Sequence, residues 1–217
     1  MQTDLTLDEM RDLIAPALPQ NAAFDGWGPK AVDAAAESLG LDAGIARLAF
    51  PGGAVDRIDA WFASIDRAME AALPPERLAT MKIREKIAAL VEARLAVLAP
   101  EREALRRAAA ILAMPQNVAA AAKLGWRSAD AMWRLAGDTA TDYNHYTKRA
   151  ILGTVYTATI AVFLADDSEG WADTRAFLSR RIDGILRFEK AKAKLLTPAE
   201  HRFSMSRFIG RLRYPAV

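Results

Sequence analysis

The sequence predicts an all-α protein, and three observations carry that prediction. Ala, Leu, Arg, Glu and Lys, all strong helix formers, are abundant throughout. No alternating run of β-branched residues bounded by turn signals occurs. Pro and Gly punctuate the chain at helix-length intervals. Helices are expected near 6–18, 29–39, 42–49, 54–73, 76–98, 101–113, 116–124, 128–136, 139–165, 169–194 and 198–212.

Each boundary has a local reason. Pro19 ends the first helix and Gly40 the second, and the Pro74-Pro75 pair separates a front bundle from the rest. Asp138 and Ser168 stand where they would N-cap the two longest later helices. Thr197, Pro198 and Glu200 form a capping box with Pro at the first helical position, opening the last helix. The expected organisation is a front bundle at 1–73, a larger bundle at 74–196 and a tail at 197–217.

At 217 residues the chain can bury a sizeable core, and 52% hydrophobic with 26% charged residues is an ordinary soluble profile. Without cysteine there are no disulfides, thiolate metal sites or Cys nucleophiles. The opening residues MQTDLTLDEM are acidic and lack an apolar signal core, and they are unlike an Arg-rich transit peptide. A cytoplasmic protein, or a mature organellar form, is therefore expected. The net charge of +2 conceals an asymmetry. Residues 1–73 hold five Lys and Arg against twelve Asp and Glu, a balance of −7, and the remainder carries +9. Two functional surfaces are implied.

Catalytic readings find little support. Asp142 and His145 share a helix face, but a bundle di-iron site needs two acid-x-x-His pairs, and His201 has no acid three residues before it. No G-x-S-x-G elbow presents a serine, and the common nucleotide-binding glycine loops are missing. No enzyme activity, metal or cofactor is expected, and His145 reads as a polar residue of a first helical turn.

The uncharged run AILGTVYTATIAVFLA at 150–165 spans about 24 Å as a helix, short of a membrane span. A helix apolar on all sides is a central core helix or the wall of an apolar cavity. Small residues Gly153, Ala158 and Ala161 would leave room for such a cavity beside Leu152, Tyr156 and Phe163. In the tail, Met205, Phe208, Ile209 and Leu212 fall within an arc of about 100° on a helical wheel, flanked by Arg202 and Arg213. Arg207 and Arg211 lie away from that stripe, and Phe203 departs from it. Such a helix can lie in a bilayer interface, with its arginines on anionic headgroups, or dock on its own bundle.

The front segment GPKAVDAAAESLGLDAGIARLAF forms a short helix, a Gly turn and a second short helix, an order that resembles the amino-terminal part of TetR-type regulators. Its would-be recognition helix, 42–49, offers Arg47 as its one cation, and the acidic front would repel phosphates. No nucleic-acid binding is expected, although a TetR-type regulator with an apolar ligand pocket is the alternative reading.

A further resemblance covers most of the chain. MPQN at 114–117, the DxMW of Asp130, Met132 and Trp133, AGDTATDYNHYTKRAIL at 136–152 and DDSEGWADTRAFLSRRID at 166–183 resemble the ubiquinone-biosynthesis accessory proteins, the ninth of the coenzyme Q series. The resemblance implies a TetR-like homodimer with a degenerate helix-turn-helix, a bundle cavity for isoprenoid lipids including quinone intermediates, and a membrane-associating C-terminal helix. It implies a peripheral place on an inner membrane, on the matrix face if organellar. The implied partner is the di-iron demethoxyubiquinone hydroxylase, to which the lipid would be presented. Candidate pocket residues are Ile111, Trp133, Leu152, Val155, Tyr156 and Phe163. Carried over by position, the partner patch is Met114, Pro115, Asp142, His145, Tyr146 and Arg149. His145 stands where mitochondrial members carry Trp, a common interface anchor.

Overall fold

The computed structural model describes residues 5–139, 141 and 143–196. The expected tail helix 198–212, and with it Arg202, Met205, Arg207, Phe208, Ile209, Arg211, Leu212 and Arg213, lies outside the described residues, as does Asp142. The chain divides into two compact units, Met1–Ser179 and Arg180–Val217. Among the described residues every regular element is helical.

The first unit begins with α1 (Leu7–Ile14), which a reciprocal cap opens. The Thr6 hydroxyl accepts from the Glu9 N–H at 3.3 Å, and the Glu9 carboxylate accepts from the Thr6 N–H at 2.9 Å. Pro19 does not end this helix. A 3-10 turn over Ala15–Ala17 leads into α2 (Leu18–Asp25), where Pro19 sits in the first turn and no N–H is missed. Then come α3 (Pro29–Ser38) and α4 (Ala43–Leu48), the expected short pair, with Asp42 capping α4 by accepting from the Ile45 N–H at 2.8 Å. The following helix α5 (Ala54–Ala72) reaches into the larger bundle.

The Pro74-Pro75 pair is a turn inside one core and not a boundary between two cores. Pro75 starts the short α6 (Pro75–Ala79), and α5 packs on α7 (Ile83–Leu98), α8 (Arg102–Leu112) and α9 (Val118–Leu135). The expected single helix 76–98 breaks before α7, where the Glu85 carboxylate accepts from the Lys82 N–H at 2.9 Å. By contrast, the expected break between 124 and 128 is absent. Gly125 is carried within α9, a tolerable loss of about 1 kcal/mol against Ala.

Asp138 does not cap the next helix either. Gly137, at φ 89°, ends α9 by donating to the Arg134 carbonyl, and the Asp138 N–H donates to the Trp133 carbonyl. The long helix α10 (Tyr143–Ala165) begins later, and the Asp138 side chain instead accepts from Lys148 at 2.7 Å and Arg149 at 3.0 Å. At 23 residues α10 is longer than its uncharged run, because 143–149 continue it. It is one helix long and apolar enough to cross a membrane by length and composition, with 33% of its apolar window buried. In this fold it packs along α9 and touches α7 and α8.

The C-terminal end of α10 is held by cations. Arg102 donates to the carbonyls of Phe163 at 2.7 Å and Asp166 at 2.9 Å, and Arg106 to that of Leu164 at 2.9 Å, where the helix dipole is negative. Beyond it, the Ser168 hydroxyl accepts from the Asp173 N–H at 3.2 Å and donates to the Asp166 carboxylate at 2.6 Å. Asp166 also accepts from the Thr174 N–H at 2.8 Å and its hydroxyl at 2.6 Å. Hydrogen bonds from Ser168, then Thr174, hold this carboxyl well below the usual range. The last helix, α11 (Ala172–Leu196), starts here and continues into the second unit.

At the centre of the first unit the Arg94 guanidinium from α7 is fully buried. It is ion-paired with Asp66 of α5, donates to the Ser128 hydroxyl of α9 at 2.9 Å, and lies 4.9 Å over the Tyr156 ring of α10. Four helices are registered by one side chain. Removing Arg94 leaves Asp66 only its longer contact with Arg127, at 3.3 Å, and breaking a buried pair costs about 3–5 kcal/mol. Arg94→Ala is therefore expected to lower unfolding free energy in urea by about that much. The apolar double replacement Arg94→Met with Asp66→Leu should recover most of the loss, since no charge is then left alone.

Candidate functional site

Between α8, α9 and α10 lies a cavity of about 790 Å³, within the range of small-molecule sites. Its origin is the size of the facing side chains. Ala109 of α8, Ala121 and Gly125 of α9, and Gly153, Ala158 and Ala161 of α10 all line it, so backbones approach without side chains filling the space between them. Thr154 and Thr157 also line it, yet they add little polarity. Their hydroxyls donate back to the carbonyls of Ala150 and Gly153, each at 2.9 Å, so their polar atoms are already engaged by the helix. Ala150, Thr154, Thr157 and Ala161 are exposed, so the cavity is a groove open along α10. Its polar lining comes from Ser128, Arg149 and Tyr156.

Of the six residues expected in the pocket, Tyr156 lines it. Leu152, Val155 and Phe163 are buried in the core on the neighbouring face of α10. Ile111 is half-buried outside the lining, and Trp133 donates its indole N–H to the Lys148 carbonyl at 3.0 Å. The physical reason is simple. Large apolar side chains fill the volume they point into, whereas the three small residues Gly153, Ala158 and Ala161 leave it empty.

The candidate partner patch is rearranged as well. Met114 and Pro115 are exposed at the approach to α9, and Tyr146 is 61% exposed. Arg149 is only 2% exposed and is not a surface residue. It donates to Asp130 at 2.6 Å, to Asp138 at 3.0 Å and to the His145 carbonyl at 3.1 Å, joining α9 to the start of α10. Trp126, which no sequence motif marks, stands at the rim with 37% exposure. Its ring centroid is 6.1 Å from Tyr146 and 6.5 Å from His145, and those two are 5.1 Å apart. With a break between 124 and 128, Trp126 would fall in a loop. On a continuous helix, Val118, Ala122 and Trp126 follow at i, i+4 and i+8 on one exposed stripe.

Burial opposes ionisation of Asp130 and Asp138, and hydrogen bonds from Arg149, with Lys148 on Asp138, outweigh it. Both carboxyls consequently titrate below their ordinary value. Among the described residues no three His, Asp or Glu side chains gather where they could hold a metal.

With this geometry in place, comparison with known proteins is informative. The family model COQ9 matches residues 118–189, which cover α9, α10 and the first part of α11. Residues 118–189 belong to the COQ9 family. Among curated relatives, the ubiquinone biosynthesis protein COQ9, mitochondrial, of Rattus norvegicus is 34% identical over 168 residues, 74% of this chain and 54% of its own length. Its Homo sapiens counterpart is 30% identical over 185 residues, 82% of this chain and 58% of its own. The chain thus spans about half the length of these COQ9 relatives. A solved TetR transcriptional regulator from Nitrosomonas europaea is similar at TM-score 0.65 and 24% identity, covering 83% of this chain and 99% of that one. That likeness is one of fold, all-α and TetR-like. Within it, the one cation of α4, Arg47, is held by both oxygens of Asp33 at 2.6 Å each.

The Arg149 joint of the COQ9 segment has a pH signature. Because the folded carboxyls titrate low, their contribution is fully present above an unfolded value of about 4 and lost as pH falls through the folded values. Arg149→Met should be less stable than the parent at pH 7, and the gap should narrow as pH drops below about 4. Thermal melts across that interval check it, and a constant gap would contradict it.

Proposed function

We propose that this chain is a non-enzymatic, lipid-binding accessory protein of ubiquinone biosynthesis. In this reading it receives an isoprenoid quinone intermediate in the α8–α9–α10 groove and presents it to a partner hydroxylase, the di-iron demethoxyubiquinone hydroxylase. The chemistry belongs to that partner, and the chain itself carries no metal or catalytic cofactor. The observation that carries the reading is the apolar groove of about 790 Å³, most of whose α9 and α10 walls fall within the COQ9 segment. Its threonines, with hydroxyls already bonded to the helix, and its small residues suit a flexible prenyl tail better than a polar substrate.

The cluster of exposed Trp126 and Tyr146 with half-buried His145 supports a partner surface, since aromatic side chains are common interface anchors. We place the protein at the surface of an inner membrane, as a homodimer whose basic amphipathic tail contacts lipid. The matrix face is the site if the protein is organellar, as the names of its curated relatives suggest. The TetR-like fold favours transcriptional regulation as a second reading. Against it stand the acidic front and the occupied Arg47, which leave little to bind phosphate.

Protein purified from a quinone-producing cell is expected to carry lipid in native mass spectrometry. The groove-filling variants Ala122→Trp and Thr157→Trp should lose that lipid while keeping the parent's melting temperature. A lipid-free parent would contradict the proposal.

A further inference from the structure

The front segment carries a surface that the proposed function leaves unused. In α4 burial is inverted with respect to side-chain size. Its inner face is made of Ala46 and Ala49, closed by Phe50, and all three are buried. Its outer face carries Ile45 and Leu48, one turn apart, at 42% and 63% exposure. Leu39, just after α3, is exposed as well. Ile and Leu gain far more from burial than Ala does. A helix that hides its alanines and shows Ile and Leu is therefore not arranged for its own core alone. Grouped apolar side chains inside a polar rim mark interaction sites.

The rim sets the sign of the partner. Asp42 opens α4, Glu37 stands in the last turn of α3, and α1, which packs on α4, brings Asp8 and Glu9. All four carboxylates are exposed. The nearby arginines are already engaged, Arg47 by Asp33 and Arg11 by Asp56, each at 2.6 Å. Lys30 lies at the opposite end of α3 from this turn. An apolar centre thus sits within an acidic rim, on a segment whose charge balance is −7.

A nucleic acid or an anionic bilayer would be repelled here, and so would the same acidic face of a second copy. A helix whose apolar stripe is flanked by Lys and Arg meets no such penalty. Its stripe would cover Ile45 and Leu48 while its cations reach the carboxylates.

We infer that the outer face of α4, together with Leu39, is a docking surface for a basic amphipathic helix of a partner protein. None of these residues lines the α8–α9–α10 groove, and the inference does not depend on what that groove holds.

Fluorescence anisotropy of a labelled Leu–Lys amphipathic peptide, titrated with the full chain, tests it. The parent should bind this peptide and leave its Leu–Glu counterpart unbound. Ile45→Ser combined with Leu48→Ser should weaken binding by about tenfold or more at an unchanged melting temperature, since both side chains lie outside the core. Leu48→Lys, which repels the peptide's lysines, should act in the same direction. Thr157→Trp, which fills the groove, should leave binding as it is.

Undiminished binding by the double variant would overturn the inference and leave only diffuse attraction to the acidic front. Loss of binding in Thr157→Trp would place the peptide in the groove and overturn it equally. Equal binding of the Leu–Glu peptide would contradict the charge complementarity. Duplex DNA or anionic vesicles that bind the parent and not the double variant would assign the face to another class of partner. A parent chain that binds no peptide would reject the surface outright.

Discussion

The buried contact of Arg94 with Asp66 organises the rest of this molecule. One guanidinium, shielded from water, reaches a carboxylate of α5, a hydroxyl of α9 and an aromatic face of α10 from its own position on α7. Burial works against the charge on Arg94, and Tyr156 and Asp66 offset it, so its pKa lies above the ordinary value. A buried pair of this kind adds little net stability over a well-packed apolar core, but it penalises any register that separates the partners. With α9 and α10 located by this contact and by Arg149 at their other meeting point, their groove-facing positions need not interlock. Small residues can occupy them, and the groove follows.

The two halves of the chain use charge differently. In the front segment the cation of the helix pair α3 and α4 is closed onto Asp33 and its surroundings are acidic. In the back segment, arginines serve the backbone, with Arg102 and Arg106 covering the carbonyls that end α10. The buried arginines of the back segment border an apolar groove, whereas the cation of α4 lies at an acidic surface.

Helical class and most helix positions were legible from composition, spacing and the absence of strand signals, because these are local properties. Pro19, Gly125 and Asp138 misled because their effect depends on neighbours. Pro19 falls in a first turn where its missing N–H does no harm, Gly125 is held in α9, and Asp138 finds Lys148 and Arg149 before it can cap a helix. The groove was half legible. Gly153, Ala158 and Ala161 pointed to it correctly, whereas Leu152, Val155 and Phe163 could be assigned to the core only once the facing helices were in place. The roles of Arg94, Ser128 and Asp66 were not legible at all, since three residues far apart in sequence carry no shared motif.

Photo-crosslinking with a lipid that bears a diazirine along its apolar chain tests the central claim most directly. If the groove between α8, α9 and α10 holds the tail, adducts mapped by peptide mass spectrometry will concentrate on the lining residues of those helices, such as Ala121, Ala122, Thr154 and Thr157. Labelling confined to the front helices α1–α4, or spread evenly over the exposed surface, would contradict it.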